Sequence, residues 1–165
     1  MIKNKINLNK KNGYTLLETL FYISIFAILS IAVIDSLITM SRSFKETTTQ
    51  AELMQGGDIM EKISREIRQA QSITSITGSS DLKITNTDGS QSEFLLSNEN
   101  VAFSENNVFV DNLNDSNIEV TSLIFTQVNT IQGEAVKISL SVESKDDLSN
   151  RTENFYDTVV LRGQY

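Results

Sequence analysis

Histidine and cysteine are both missing from this chain. Their absence removes the commonest general base, the commonest transition-metal ligand, thiol catalysis and disulfide bonding from its chemistry. Carboxylates, amines and hydroxyls remain, and one carboxylate stands in an unusual place. Glu18 lies among Leu16, Leu17, Leu20 and Phe21, inside a run that is otherwise almost wholly apolar. A charge at the centre of a membrane helix costs ~2.5–3.5 kcal/mol on insertion scales, and less near an end. Such a group needs a partner, yet no basic residue occurs between Gly13 and Arg42. Asp35, the second acid of the run, sits near its far end and marks where a helix would leave the hydrocarbon; a face turned to a partner is the alternative.

The other polar clusters carry less. Asp111-Asn112-Leu113-Asn114-Asp115-Ser116-Asn117 is rich in oxygen ligands, but it lacks the glycine and terminal glutamate of a calcium loop and reads as a solvated turn. Lys62, Arg65 and Arg68 fall on one helical face and read as a solvated face rather than an anion site. There is no glycine-rich phosphate loop, nucleophile elbow or metal-ligand cluster in the sequence. Catalytic residues, bound metal and cofactor are therefore not expected, and neither is an enzyme.

The element that must position Glu18 is the apolar run itself. Tyr14 to Met40 is 27 residues, or about 40 Å as a helix at ~1.5 Å per residue, where a bilayer core needs roughly 20 residues. Lys3, Lys5, Lys10 and Lys11 precede it with no acid in the first 13 residues, and all 21 acids follow. That asymmetry places the N-terminus in the cytoplasm and the remainder outside, a single pass. The net charge of −7 for the whole chain hides a sharper split: after the first 13 residues 21 acidic residues face 10 basic ones, a net charge of −11, and such an acidic body disfavours nucleic acid as a partner. A cleaved secretory signal would need an apolar core of about 7–15 residues and a small-residue site after it. Ser36-Leu37-Ile38-Thr39-Met40-Ser41-Arg42 offers no such site.

Lys10-Lys11-Asn12-Gly13-Tyr14-Thr15-Leu16-Leu17-Glu18 resembles the type III signal of type IV prepilins and pseudopilins. In that family a basic leader ends in glycine, and the mature chain begins aromatic-Thr-Leu-aliphatic-Glu. The resemblance implies a prepilin peptidase as partner, cutting between Gly13 and Tyr14, and methylation of the new amine of Tyr14. It also implies a retained apolar helix and an assembly role for Glu18, paired with the N-terminal amine of a neighbouring subunit or of its own. Tyr14 departs mildly from the family's usual phenylalanine. The chemistry agrees: glycine lets a peptidase approach the backbone closely, and a freed α-amine, with a reference pKa of about 8, supplies the cation that Glu18 lacks. Ile25-Phe26-Ala27-Ile28-Leu29-Ser30 and the stretch from Met60 to Ala70 resemble J-type pseudopilins and W-type minor pilins. The likeness covers roughly the first 75 residues.

Beyond the apolar run the helical period continues. Leu53, Gly56, Ile59, Met60, Ile63, Ile67 and Ala70 fall within about a 120° arc, which predicts an amphipathic helix to about Ser75 with a possible bend at Gly56-Gly57. No proline interrupts it. After Thr77-Gly78-Ser79-Ser80 the period becomes two. Strands are predicted over 82–85, 93–96, 101–103, 108–110, 118–128, 135–143 and 155–162, with Asp88-Gly89 and Asn106-Asn107 as hairpin turns. Four segments follow: 1–13 a cleaved basic leader, 14–40 the transmembrane and assembly half of the helix, 41–77 its amphipathic half, and 78–165 an antiparallel β domain. The expected fold is α+β, a long N-terminal helix packed on an antiparallel sheet, which is also the pilin fold by resemblance.

The expected function is that of a minor structural subunit that primes or caps a type IV pilus-like filament with other pilin or pseudopilin subunits. It would sit first in the cytoplasmic membrane and then in a cell-surface or periplasmic filament. A pseudopilin of a type II secretion system has the same physics. A single-pass surface protein that binds a ligand through its β domain and never polymerises is the alternative of a different class.

Overall fold

The computed structural model describes residues 15–130, 133–147 and 149–161. The chain divides into two compact units, Met1–Lys45 and Glu46–Tyr165. One helix, α1 (Leu16–Gln69), supplies residues to both.

Thr15 starts α1, its Oγ1 accepting the Glu18 N–H at 3.3 Å as an N-cap does. Along residues 16–45 nearly every side chain is exposed, including Leu16 at 85% and Phe26 at 71%. Small hydroxyls in this stretch turn inward: Ser24, Ser30 and Thr39 each donate to the carbonyl four residues earlier, at 2.8, 2.8 and 2.9 Å. The helix presents an apolar surface and satisfies these polar groups internally, as a bilayer requires. It is long and apolar enough to cross a membrane.

In the second unit, residues 46–69 of α1 bury one stripe. Leu53, Gly56, Ile59, Met60, Ile63 and Ile67 are buried, as is Ala70 just beyond, so all seven residues of the predicted arc lie in the core. The helix is continuous through Gly56-Gly57. Gly56 serves close packing instead, since a Cβ there would overlap the ring of Phe155.

The predicted end of the helix needs correction. It stops at Gln69, and the residues predicted to carry it on to about Ser75 belong to strand β1 (Ala70–Thr77). Ser72, Ile73, Thr74, Ser75, Ile76 and Thr77 are β-branched or serine, types that lose rotamer freedom or compete for backbone bonds in a helix. A register shift between Ile73 and Ser75 explains why Ile73 and Ile76 do not keep a period of two.

The strands that follow are β2 (Asp81–Asn86), β3 (Gln91–Ser97), β4 (Asn100–Glu105), β5 (Val108–Asn112), β6 (Ile118–Thr130), β7 (Gly133–Ser144) and β8 (Thr152–Val160). They form two antiparallel ladders, β1-β2-β3-β4-β5 and β6-β7-β8. The core lies between the α1 stripe and the inward faces of both ladders. In β7 the predicted set Val136, Ile138, Leu140 and Val142 is fully buried. Leu82, Phe94 and Phe103 line up across β2, β3 and β4, and the two rings stand 5.2 Å apart.

The β4–β5 turn is Asn106-Asn107 as predicted, both with positive φ. At the β2–β3 turn only Gly89 has positive φ, and the loop carries an extra residue relative to a two-residue turn. A further tight turn, Asn98-Glu99 between β3 and β4, places both residues at positive φ. Asn98 tolerates that conformation, but glutamate is not a turn signal, so only half of this turn is marked in the sequence.

Candidate functional site

Of the residues assigned to processing, Gly13 and Tyr14 lie outside the described residues. Glu18 is described, in the first turn of α1, where the helix dipole favours a negative charge. Thr15-Leu16-Leu17-Glu18 is half of a capping box: Thr15 Oγ1 accepts the Glu18 amide at 3.3 Å. The Glu18 carboxylate points the other way, and its Oε1 accepts the Tyr22 hydroxyl at 3.1 Å. Tyr22 was absent from the sequence-derived candidates. Its signal was available, since residues four apart share a helix face.

The second unit holds its charge in structural pairs. Glu52, 5% exposed, accepts Ser144 Oγ at 2.5 Å and Asn117 Nδ2 at 3.4 Å, fixing the loop before β6 and the end of β7 to the helix. Arg151 spans Glu46 on α1 and Asp147 on the loop before β8: its Nε donates to Asp147 Oδ2 at 2.7 Å and its Nη2 to Glu46 Oε2 at 3.0 Å. The hydrogen bonds from Arg151, then those from the Ser149 and Arg151 amides, hold Asp147 down to about 2. The same guanidinium lowers Glu46, and both acids raise Arg151. Ser64 donates to Asp157 at 2.6 Å, tying α1 to β8.

The oxygen-rich segment at 111–117 turns its central residue inward. Asn114, 7% exposed, accepts the Val101 amide at 2.9 Å and donates to the Ile118 carbonyl at 3.1 Å, stitching β4 to β6. Among the described residues no group of three or more acids is arranged to hold a metal ion. The Lys62, Arg65 and Arg68 face is also divided. Lys62 lies 4.8 Å from the Phe103 ring centroid, and Arg68 is 4.0 Å from Asp157. A groove of about 340 Å³ between Gln50, Leu53, Met54, Glu153 and Phe155 is mostly apolar and brings together no nucleophile and base.

The arrangement offers no reacting centre among the described residues. It offers an acid-bearing apolar helix and a rigid, salt-bridged head. Residues 8–34 match the family described as the prokaryotic N-terminal methylation motif, a stretch that contains Gly13, Tyr14 and Glu18. No curated protein and no solved structure is matched by the chain. The N-terminal segment thus carries a type IV pilin-like methylation signal, of a family that is structural rather than enzymatic, running into an apolar helix, the mark of a prepilin-like protein.

Proposed function

We propose that this chain is a minor subunit that primes or caps a type IV pilus-like filament, of the J-type pseudopilin or W-type minor pilin kind. A prepilin peptidase removes residues 1–13 by cutting between Gly13 and Tyr14, and the amine of Tyr14 is then methylated. Residues 14–40 anchor the chain in the cytoplasmic membrane with the β domain outside. During assembly the same residues join the filament core, where Glu18 pairs with an N-terminal amine. The observation that carries this reading is the methylation motif at residues 8–34, overlapping a helix whose residues 16–45 expose almost all their apolar side chains. Bare apolar surface on that scale needs lipid or other apolar helices around it.

The test is made in cells that produce the peptidase and the chain's filament partners. Sheared filaments are expected to contain the native chain, and Glu18→Ala is expected to remain in the membrane, processed but unassembled. A chain that stays monomeric in the membrane and is indifferent to Glu18→Ala would instead be an anchored surface protein.

A further inference from the structure

We infer that Tyr22 is a positioning residue for Glu18, holding its carboxylate in place inside the apolar layer until the assembly partner arrives. This inference rests on the filament reading above and adds to it a residue that the methylation signal does not specify.

The argument starts from how the apolar stretch treats its other hydroxyls. Thr19, Ser24, Ser30 and Thr39 each donate to the carbonyl four residues earlier, so their needs are met by the helix itself. A tyrosine hydroxyl stands at the end of a rigid ring and is too far from the backbone to do the same. Tyr22 gives its hydrogen bond to Glu18 Oε1 instead, at 3.1 Å. Glu18 has the matching problem. It carries a charge in a stretch with no basic side chain from Tyr14 to Ser41. In hydrocarbon there is no water to complete either group.

Two contacts then fix the glutamate from both ends. Thr15 Oγ1 caps its backbone amide at 3.3 Å, and Tyr22 holds its carboxylate, which narrows the rotamer freedom of a long side chain. A hydrogen bond to a charged acceptor is among the stronger kinds. It does not block the assembly contact, because a carboxylate offers about four acceptor positions and one phenol leaves room for an ammonium. Tyr22 therefore presents the Glu18 carboxylate in one orientation before assembly.

The test compares native chain, Tyr22→Phe, and a swap that carries Tyr22→Ile with Ile23→Tyr, in the same cells. The swap keeps the composition and the hydroxyl but moves that hydroxyl about 100° round the helix, five residues from Glu18 and off its face. Incorporation into sheared filaments is measured against the amount of processed chain in the membrane. Tyr22→Phe is expected to lower incorporation about fivefold, at unchanged processing and membrane content, the scale of one lost hydrogen bond. The swap is expected to stay equally low. Native incorporation by Tyr22→Phe overturns the inference, and so does recovery in the swap, which would mean that a tyrosine is wanted only as an interfacial aromatic. A chain that keeps its leader in every variant overturns the filament reading and this inference with it.

Discussion

Residues 16–45 and 46–69 of α1 have the same backbone conformation and opposite surfaces. The first stretch exposes leucine, isoleucine and phenylalanine on every side, while the second keeps one buried stripe with charged residues opposite. The difference shows that one continuous helix serves two surroundings, and that the side-chain pattern marks which residues are buried. It also shows where each half gets its stability. The second half is held by the β domain of its own unit, whereas the first carries apolar surface that no described residue of its unit covers.

The contrast breaks most visibly at paired isoleucines. Ile63→Ala, at a fully buried position, is expected to cost the folded domain ~2–5 kcal/mol. Ile28→Ala, 70% exposed, is expected to leave its unfolding midpoint unchanged. Denaturant unfolding of the detergent-solubilised full chain measures both. Equal losses would mean that the first half also packs on protein.

Gly56 and Gly57 give the next largest effect, within two adjacent residues. Gly56→Ala drives a methyl into the Phe155 ring and is expected to cost ~1–3 kcal/mol. At Gly57 an added Cβ meets Phe155 at an ordinary 3.7 Å, so Gly57→Ala is expected to be neutral or to gain up to ~1 kcal/mol from helix propensity. Adding Phe155→Leu to Gly56→Ala should recover part of the loss, and its failure to do so would place the strain elsewhere.

A smaller effect is local and depends on pH. Asp147 accepts the Ser149 and Arg151 amides, each at 3.1 Å. Its carboxyl is held to about 2 against an ordinary 3.8, so its contribution is complete above the ordinary value and is lost as pH falls toward the lowered one. Protection of those two amides against hydrogen exchange, relative to the intrinsic rate at each pH, should therefore fall between about pH 4 and 2, and already at neutral pH in Asp147→Asn. Unchanged exchange in that variant would show that the loop is held without the carboxylate.

The smallest effect concerns Asp81. Burial, and then the charge of Glu93, push it up, and its Oδ1 is buried with no hydrogen-bond partner among the described residues. A raised carboxylate disfavours the folded state once it is charged, so Asp81→Asn is expected to stabilise the domain slightly at neutral pH and not at pH 3. Destabilisation at neutral pH would indicate that the charge is used.

Much of this fold is legible in the sequence because its signals are periodic. The arc from Leu53 to Ala70 and the alternation from Val136 to Val142 name buried residues directly, since a helix and a strand each put one face inward. The end of the helix was misplaced because apolar periodicity fades at Ala70, whereas the β-branched residues after it were the better signal. The split into two ladders, the Glu99 half of the Asn98-Glu99 turn and the Glu46–Arg151 bridge were not legible. Ladder edges depend on which strands meet, glutamate at positive φ has no compositional mark, and residues 105 apart carry no local trace of their contact. Within the candidate site, Glu18 stood out by charge in an apolar run. Tyr22 did not, because tyrosine near a membrane interface is ordinary until its hydroxyl is seen to meet an acid.

The central claim is that the apolar helix is kept and the leader is lost. Intact-mass and N-terminal analysis of the membrane-extracted chain, with and without a co-produced prepilin peptidase, tests it most directly. The account predicts a chain that begins at Tyr14 and carries an added methyl group only when the peptidase is present. A chain that still begins at Met1 alongside an active peptidase, or that is cut after Met40, would contradict it.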